Sequence, residues 1–178
     1  MIDKLAADVF LQLARLGMGT SSEASLPEHT DWDSIEALSK RQGLFAVVLD
    51  GVEKLPHSLR PPLTTWLRWI GEVQLEEERY NYQWNEACKM ALQFHQNNIR
   101  TYVLKGNVVS ECYPKPQHRV SADFDSFLVN ENQNENEKDV WEKGNQLIEE
   151  AGYEVEKVFY KNSTFRLPGL TVENHRFL

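Results

Sequence analysis

Cysteine is scarce: the 178 residues hold only Cys88 and Cys112, and neither stands at a metal-ligand spacing. A reducing cytoplasm is therefore the simpler setting. Long apolar runs are missing as well. No stretch approaches the roughly 20 residues that a membrane helix needs. The opening MIDKLAADVFLQLARLGM carries Asp3 and Asp8 and has no continuous apolar region, which excludes a signal peptide. Basic charge is short, with 19 Lys and Arg against 27 Asp and Glu and a net charge of −8, and the longest basic cluster is Lys40–Arg41. A protein that grips DNA or RNA by its phosphates needs a basic surface. A long nucleic-acid substrate is thus disfavoured, and a small molecule or a protein surface is favoured. What is present is core material. Hydrophobic residues make up 41% and aromatics 11%, too much for a disordered chain. The length suits one domain, or a small domain with a helical extension.

Residues 2–16 place Leu5, Val9, Phe10, Leu13 and Leu16 at helical spacing, with Gly17 and Gly19 as a stop. Residues 19–30 read as a loop by composition. Thr30 before Asp31-Trp32-Asp33 predicts a helix N-cap with an acid at the third position. That helix ends at Gly43, and another spans Leu44 to Leu55. Pro56, Pro61 and Pro62 bracket a turn, after which the periodicity predicts a long helix over Leu63–Asn97. Its glutamates Glu72, Glu76, Glu77 and Glu78 read as a solvated face. At Ile99 the character changes. Arg100–Leu104 reads as a strand, Lys105-Gly106-Asn107 as a turn, Val108–Cys112 as a short helix and Ala122–Val129 as a second strand. A polar loop is expected over 130–139, then a helix through Val140, Leu147 and Ile148 that Gly152 ends. Three strands follow, over Tyr153–Tyr160, Thr164–Leu167 and Leu170–Phe177. The expected architecture is α+β, a helical region at 1–98 and a mixed-sheet core at 99–178 covered on one face. The chain stops at Arg176-Phe177-Leu178, within or just after a strand, so the core is expected to be truncated there.

Chemistry concentrates at Asp123 and Asp125. On a strand, residues i and i+2 point to one side, which sets their Cβ atoms about 6–7 Å apart. Two like charges side by side call for a partner. A hard divalent cation such as Mg²⁺ answers, since it takes one or two carboxylates and fills its other positions with water and phosphate oxygens. Two such ions, roughly 3.5–4 Å apart, suit nucleotidyl transfer. A third carboxylate is expected, and Glu173 is the candidate on a strand beside the aspartates. His175 shares its face, and spacing does not choose between them. Gly106 after a strand lets the backbone approach a phosphate. Lys105 and Arg119 carry the charge to neutralise a triphosphate, Arg119 with a bidentate fork.

The run VLKGNVVSECYPKPQHRVSADFDSFLV (103–129) resembles the signature of uncharacterised nucleotidyltransferases of the DNA-polymerase-β-like superfamily. Asp31-Trp32, Asn97–Ile99, Gly152-Tyr153 and Val172-Glu173-Asn174-His175 extend the likeness to about residues 30–178. The resemblance implies a polymerase-β-like palm, Mg²⁺ at Asp123 and Asp125 and a nucleoside triphosphate donor. Gly106-Asn107 stands where the superfamily carries Gly-Ser. Ala122 replaces a common glycine, and Ser126 and Phe127 replace the usual apolar pair. The expected reaction moves a nucleoside monophosphate from a triphosphate such as ATP to a hydroxyl on a small molecule or protein. The competing expectation is an inactive nucleotide-binding or partner-docking module of the same fold.

Overall fold

The computed structural model describes residues 4–131, 137–158 and 161–177. The chain divides into two compact units, one of residues 1–78 and 110–120 and the other of 79–109 and 121–178. The division falls inside a long helix, whereas the composition of the sequence changes at 98/99.

The first unit is helical. It contains α1 (Lys4–Gly17), α2 (Trp32–Arg41), α3 (Phe45–Glu53) and the opening turns of α4 (Leu63–His95). Val9, Phe10, Leu13 and Leu16 of α1 join Phe45, Val48, Leu49 and Val52 of α3 in one buried cluster. Two glycines set the closeness of this crossing. A Cβ on Gly17 would stand 2.0 Å from the Val47 carbonyl oxygen, and one on Gly51 would stand 2.1 Å from that of Leu13. The N-cap of α2 is Asp31, whose carboxylate accepts from the Ser34 amide, and not Thr30 as the capping pattern predicts. Thr30 instead donates its hydroxyl to the Pro27 carbonyl.

The expected solvated face of α4 is only partly so. Glu72 pairs with Arg68 and Lys40, and Glu77 accepts from buried His118. Lys40 and His118 come from distant parts of the sequence, so the helix's own periodicity carries no trace of them, whereas Arg68 lies one turn before Glu72. Glu36, like Asp50, is a buried acid of this unit. It accepts from Arg68 at 2.5 and 2.6 Å, from Trp69 Nε1 at 2.7 Å and from Lys40 at 2.8 Å. Those hydrogen bonds, Arg68 first, outweigh burial and hold its carboxyl at about 2.

The second unit is a five-stranded sheet. It is formed by β1 (Ile99–Val103), β2 (Phe124–Asn130), β3 (Val155–Val158), β4 (Asn162–Leu167) and β5 (Leu170–His175) in the order β1-β2-β5-β4-β3. Only β2 and β5 are parallel; the other pairs are antiparallel. The sheet is mixed, as expected. Between β1 and β2 lies α5 (Lys105–Ser110), and between β2 and β3 lies α6 (Glu137–Glu150). Phe124, Leu128, Phe165 and Val172 bury against Ala87, Met90 and Phe94 of α4 and against Val140 and Ile148 of α6. The Trp84 ring meets Phe124 edge-on at 5.7 Å and pins the start of β2. Gly152, at φ +90°, ends the α6 segment as predicted.

Two local expectations shift. The helix after β1 begins at Lys105 and not at Val108, so Gly106 and Asn107 lie within it. The second strand begins at Phe124 and not at Ala122, which leaves Asp123 in the bend before it. Parts of the expected loop at 130–139 and of the strand at 153–160 lie outside the described residues. Among the described residues no helix is long and apolar enough to cross a membrane.

Candidate metal centre

The sheet face turned away from α6 carries Asp125, Glu173 and His175, whereas Ser163 and Asn174 are buried toward Asn145 of α6. Strand alternation sends Phe124, Ser126 and Leu128 one way and Asp125 the other. Pairing then brings the acids together. Asp125 stands opposite Glu173 across the parallel β2–β5 ladder, and Thr164 of β4 stands opposite Glu173 on its other side. His175 follows two residues along on the Glu173 face. Among the described residues, Asp125, Glu173 and His175 each offer a ligand atom, and these atoms all lie within 4.8 Å of one another.

One oxygen is the focus. Oδ1 of buried Asp125 accepts from His175 Nε2 at 2.7 Å and from Lys105 Nζ at 3.1 Å. Lys105 Nζ stands 3.4 Å from that imidazole nitrogen, and Glu173 Oε2 stands 3.9 Å from it. Asn162 Nδ2 donates to Glu173 Oε2 at 3.2 Å and orients the carboxylate. Backbone geometry fixes Lys105, because the Leu104 amide donates to the Asp125 carbonyl at 2.9 Å. Lys105 itself takes φ +39°, a left-handed conformation that costs a non-glycine residue roughly 1–3 kcal/mol.

The other expected site residues lie elsewhere. Asp123 is half-buried, one residue before β2, and is not a member of the three-residue group. The i, i+2 alternation that paired it with Asp125 applies only within a strand. Gly106 and buried Asn107 are the second and third residues of α5. Arg119 belongs to the first unit, and its Nη1 is buried with no hydrogen-bond partner among the described residues. The sequence pointed to Glu173 and left His175 open beside it. It carried no signal for Asn162, whose role depends on β4 pairing with β5.

Two carboxylates and an imidazole nitrogen at this spacing form a donor set that first-row divalent ions accept, and the carboxylates alone suit Mg²⁺. The Lys105 ammonium, sharing Asp125 Oδ1 with His175, stands in for such a cation. The residues present therefore fit one.

A mixed sheet with helices on one face and clustered acids and imidazole on the other defines an α+β protein with a candidate divalent-metal centre. The chain belongs to a family of uncharacterised nucleotidyltransferases, whose profile matches residues 28–178. Asp125, Glu173, His175 and Lys105 all fall inside the matched segment. Comparison with curated proteins and with solved structures returns no match.

Proposed function

We propose that the chain is a Mg²⁺-dependent nucleotidyltransferase of the polymerase-β-like palm type. It would move a nucleoside monophosphate from a triphosphate to a hydroxyl on a small molecule or a protein. The observation that carries this reading is the convergence of Asp125, Glu173 and His175 inside the family-matched segment. In the proposed roles Asp125 and Glu173 hold divalent ions, with Asp123 reaching in from the bend before β2. When bound, such ions polarise the α-phosphate and offset charge on the leaving pyrophosphate. The acceptor oxygen bonds to the α-phosphorus, the bond from α-phosphorus to the bridging oxygen breaks, and pyrophosphate leaves with the electron pair. Glu173 takes the acceptor's proton, held in place by Asn162.

Lys105, Gly106 and Asn107 would meet the phosphates, and Arg119, in the first unit, is a separate candidate for an anion. The orphaned Nη1 of Arg119 is a donor that an anion satisfies. A net charge of −8 favours small or protein acceptors over a nucleic-acid strand. Both cysteines are free and exposed, which agrees with a reducing cytoplasm.

The test is label transfer from α-labelled ATP, GTP, CTP and UTP with Mg²⁺ over panels of hydroxyl acceptors. Wild type should transfer label, and Asp125→Asn, which keeps the shape and removes the charge, should transfer at least ~100-fold less. If none of the four triphosphates binds and Asp125→Asn changes nothing, the enzyme reading falls. Binding without transfer over every acceptor would favour the inactive module instead.

A further inference from the structure

Among the described residues, Lys105 is the cation that touches this cluster, and it does so in an uncommon way. Its side chain is 64% exposed, yet its amine turns in from solvent to an aspartate that is only 7% exposed. Its backbone adopts φ +39°, although a residue without Cβ, Gly106, stands immediately beside it. The amine touches two of the three cluster members, at 3.1 Å from Asp125 Oδ1 and 3.4 Å from His175 Nε2. A divalent ion held by Asp125 and His175 needs that same place.

We infer that Lys105 makes the cluster specific for a cation that arrives with the triphosphate and rejects a cation arriving alone. This inference rests on the metal-and-nucleotide reading above. The physical argument is competition of like charges. An ammonium and a divalent ion on one carboxylate oxygen repel each other, and the ammonium, on a flexible and largely exposed side chain, is the one that leaves. Leaving takes it from its ion-pair partner Asp125 into water, so a free cation binds against that loss. A triphosphate changes the balance, because its oxygens accept the displaced ammonium. Cation and nucleotide then favour each other's binding through Lys105, and the coupling is reciprocal.

The experiment titrates Mn²⁺ alone into the full chain and follows free Mn²⁺ by its paramagnetic resonance. Each of the four triphosphates is then titrated in the presence of Mn²⁺. Lys105→Gln removes the charge. Lys105→Gly removes the side chain and suits the left-handed backbone, so it guards against a folding defect in the first variant. Glu173→Gln shows whether the signal comes from this cluster. Both Lys105 variants should bind Mn²⁺ alone roughly three- to tenfold more tightly than wild type and bind the Mn²⁺–triphosphate more weakly. Mn²⁺ affinity equal to or below wild type in both variants would overturn the inference while leaving the metal site standing. Absence of Mn²⁺ binding in wild type and in both variants, with or without triphosphate, would overturn the metal reading itself.

Discussion

A single buried imidazole ties together three segments of the helical unit. His118, 2% exposed, meets Asp50 Oδ2 of α3 at 2.6 Å through Nδ1 and Glu77 Oε1 of α4 at 2.7 Å through Nε2. Lys115 also pairs with Asp50, at 2.6 Å, and stands 3.9 Å from Glu53. A ring with a carboxylate at each nitrogen is best satisfied as a double donor, hence as the cation. Burial pulls the imidazole down, but the bonds to Asp50 and Glu77 outweigh it and the net shift is upward from 6.5. For Asp50 burial pushes up, His118 and Lys115 pull down, and the net shift is downward from 3.8. The signs therefore differ. The His118 contribution to stability is whole below pH 6.5 and is lost as pH rises through the raised value. The Asp50 contribution is whole above 3.8 and is lost as pH falls through the lowered value. Thermal unfolding should show a midpoint that declines on the alkaline side of pH 6.5. His118→Gln should cost about 3 kcal/mol at pH 6 and flatten that alkaline slope. An unchanged slope in the variant would remove His118 as its source. No sequence pattern announced this cluster, because Asp50, Glu77 and His118 are far apart in the chain and Glu77 reads as one of a run of solvated glutamates. Asp125 and Glu173 were legible for the opposite reason: alternation along a strand is a local rule that survives folding. Asp123 lies one residue before β2, so the alternation rule does not reach it. Lys105 was expected at a phosphate, and its contact with Asp125 follows only from β1 lying beside β2.

Elements were read more easily than contacts between them. The long α4 and the change of character at Ile99 followed from periodicity and β-branched composition, whereas the adjacency of the Glu173 strand to the aspartate strand was an expectation that the β2–β5 pairing meets. The start of α5 did not, since Lys-Gly-Asn reads as a turn and the helix absorbs it. The glycines of α1 and α3 show a further limit. Gly17 reads as a helix stop, and it is also a point of close approach. In the first unit, Gly51 lets α3 come so near α1 that a Cβ would sit 2.1 Å from a backbone oxygen. Backbone cannot swing aside as a side chain can, so Gly51→Ala should cost about 3 kcal/mol. Gly71, exposed within α4, has nothing within 4 Å of an added Cβ. There, Ala should gain about 0.5–1 kcal/mol from helix propensity alone. Chemical denaturation of the two variants gives opposite signs if packing at the α1–α3 crossing is as close as described. Equal effects would mean that the helices part freely.

At the scale of the whole molecule, the family match and the folded structure do not begin at the same residue. The match starts at residue 28, yet α1 ends at Gly17 and supplies Val9, Phe10, Leu13 and Leu16 to the core of the first unit. Removing α1 would uncover the α3 face that holds Phe45, Val48 and Val52, and the glycine crossing would lose its partner. Full burial of side chains of this size is each worth roughly 1.5–3 kcal/mol. Four of them approach the entire 5–15 kcal/mol by which domains are typically stable, even if area-based values are upper bounds. A chain of residues 28–178 should therefore lose cooperative melting of its helical part and bind an apolar dye such as ANS at temperatures where the full chain does not. A melting midpoint within about 3 °C of the full chain would show that α1 adds little. The family match alone would not have suggested this dependence, whereas the apolar spacing of Leu5 to Leu16 already marked α1 as a helix with a face to bury.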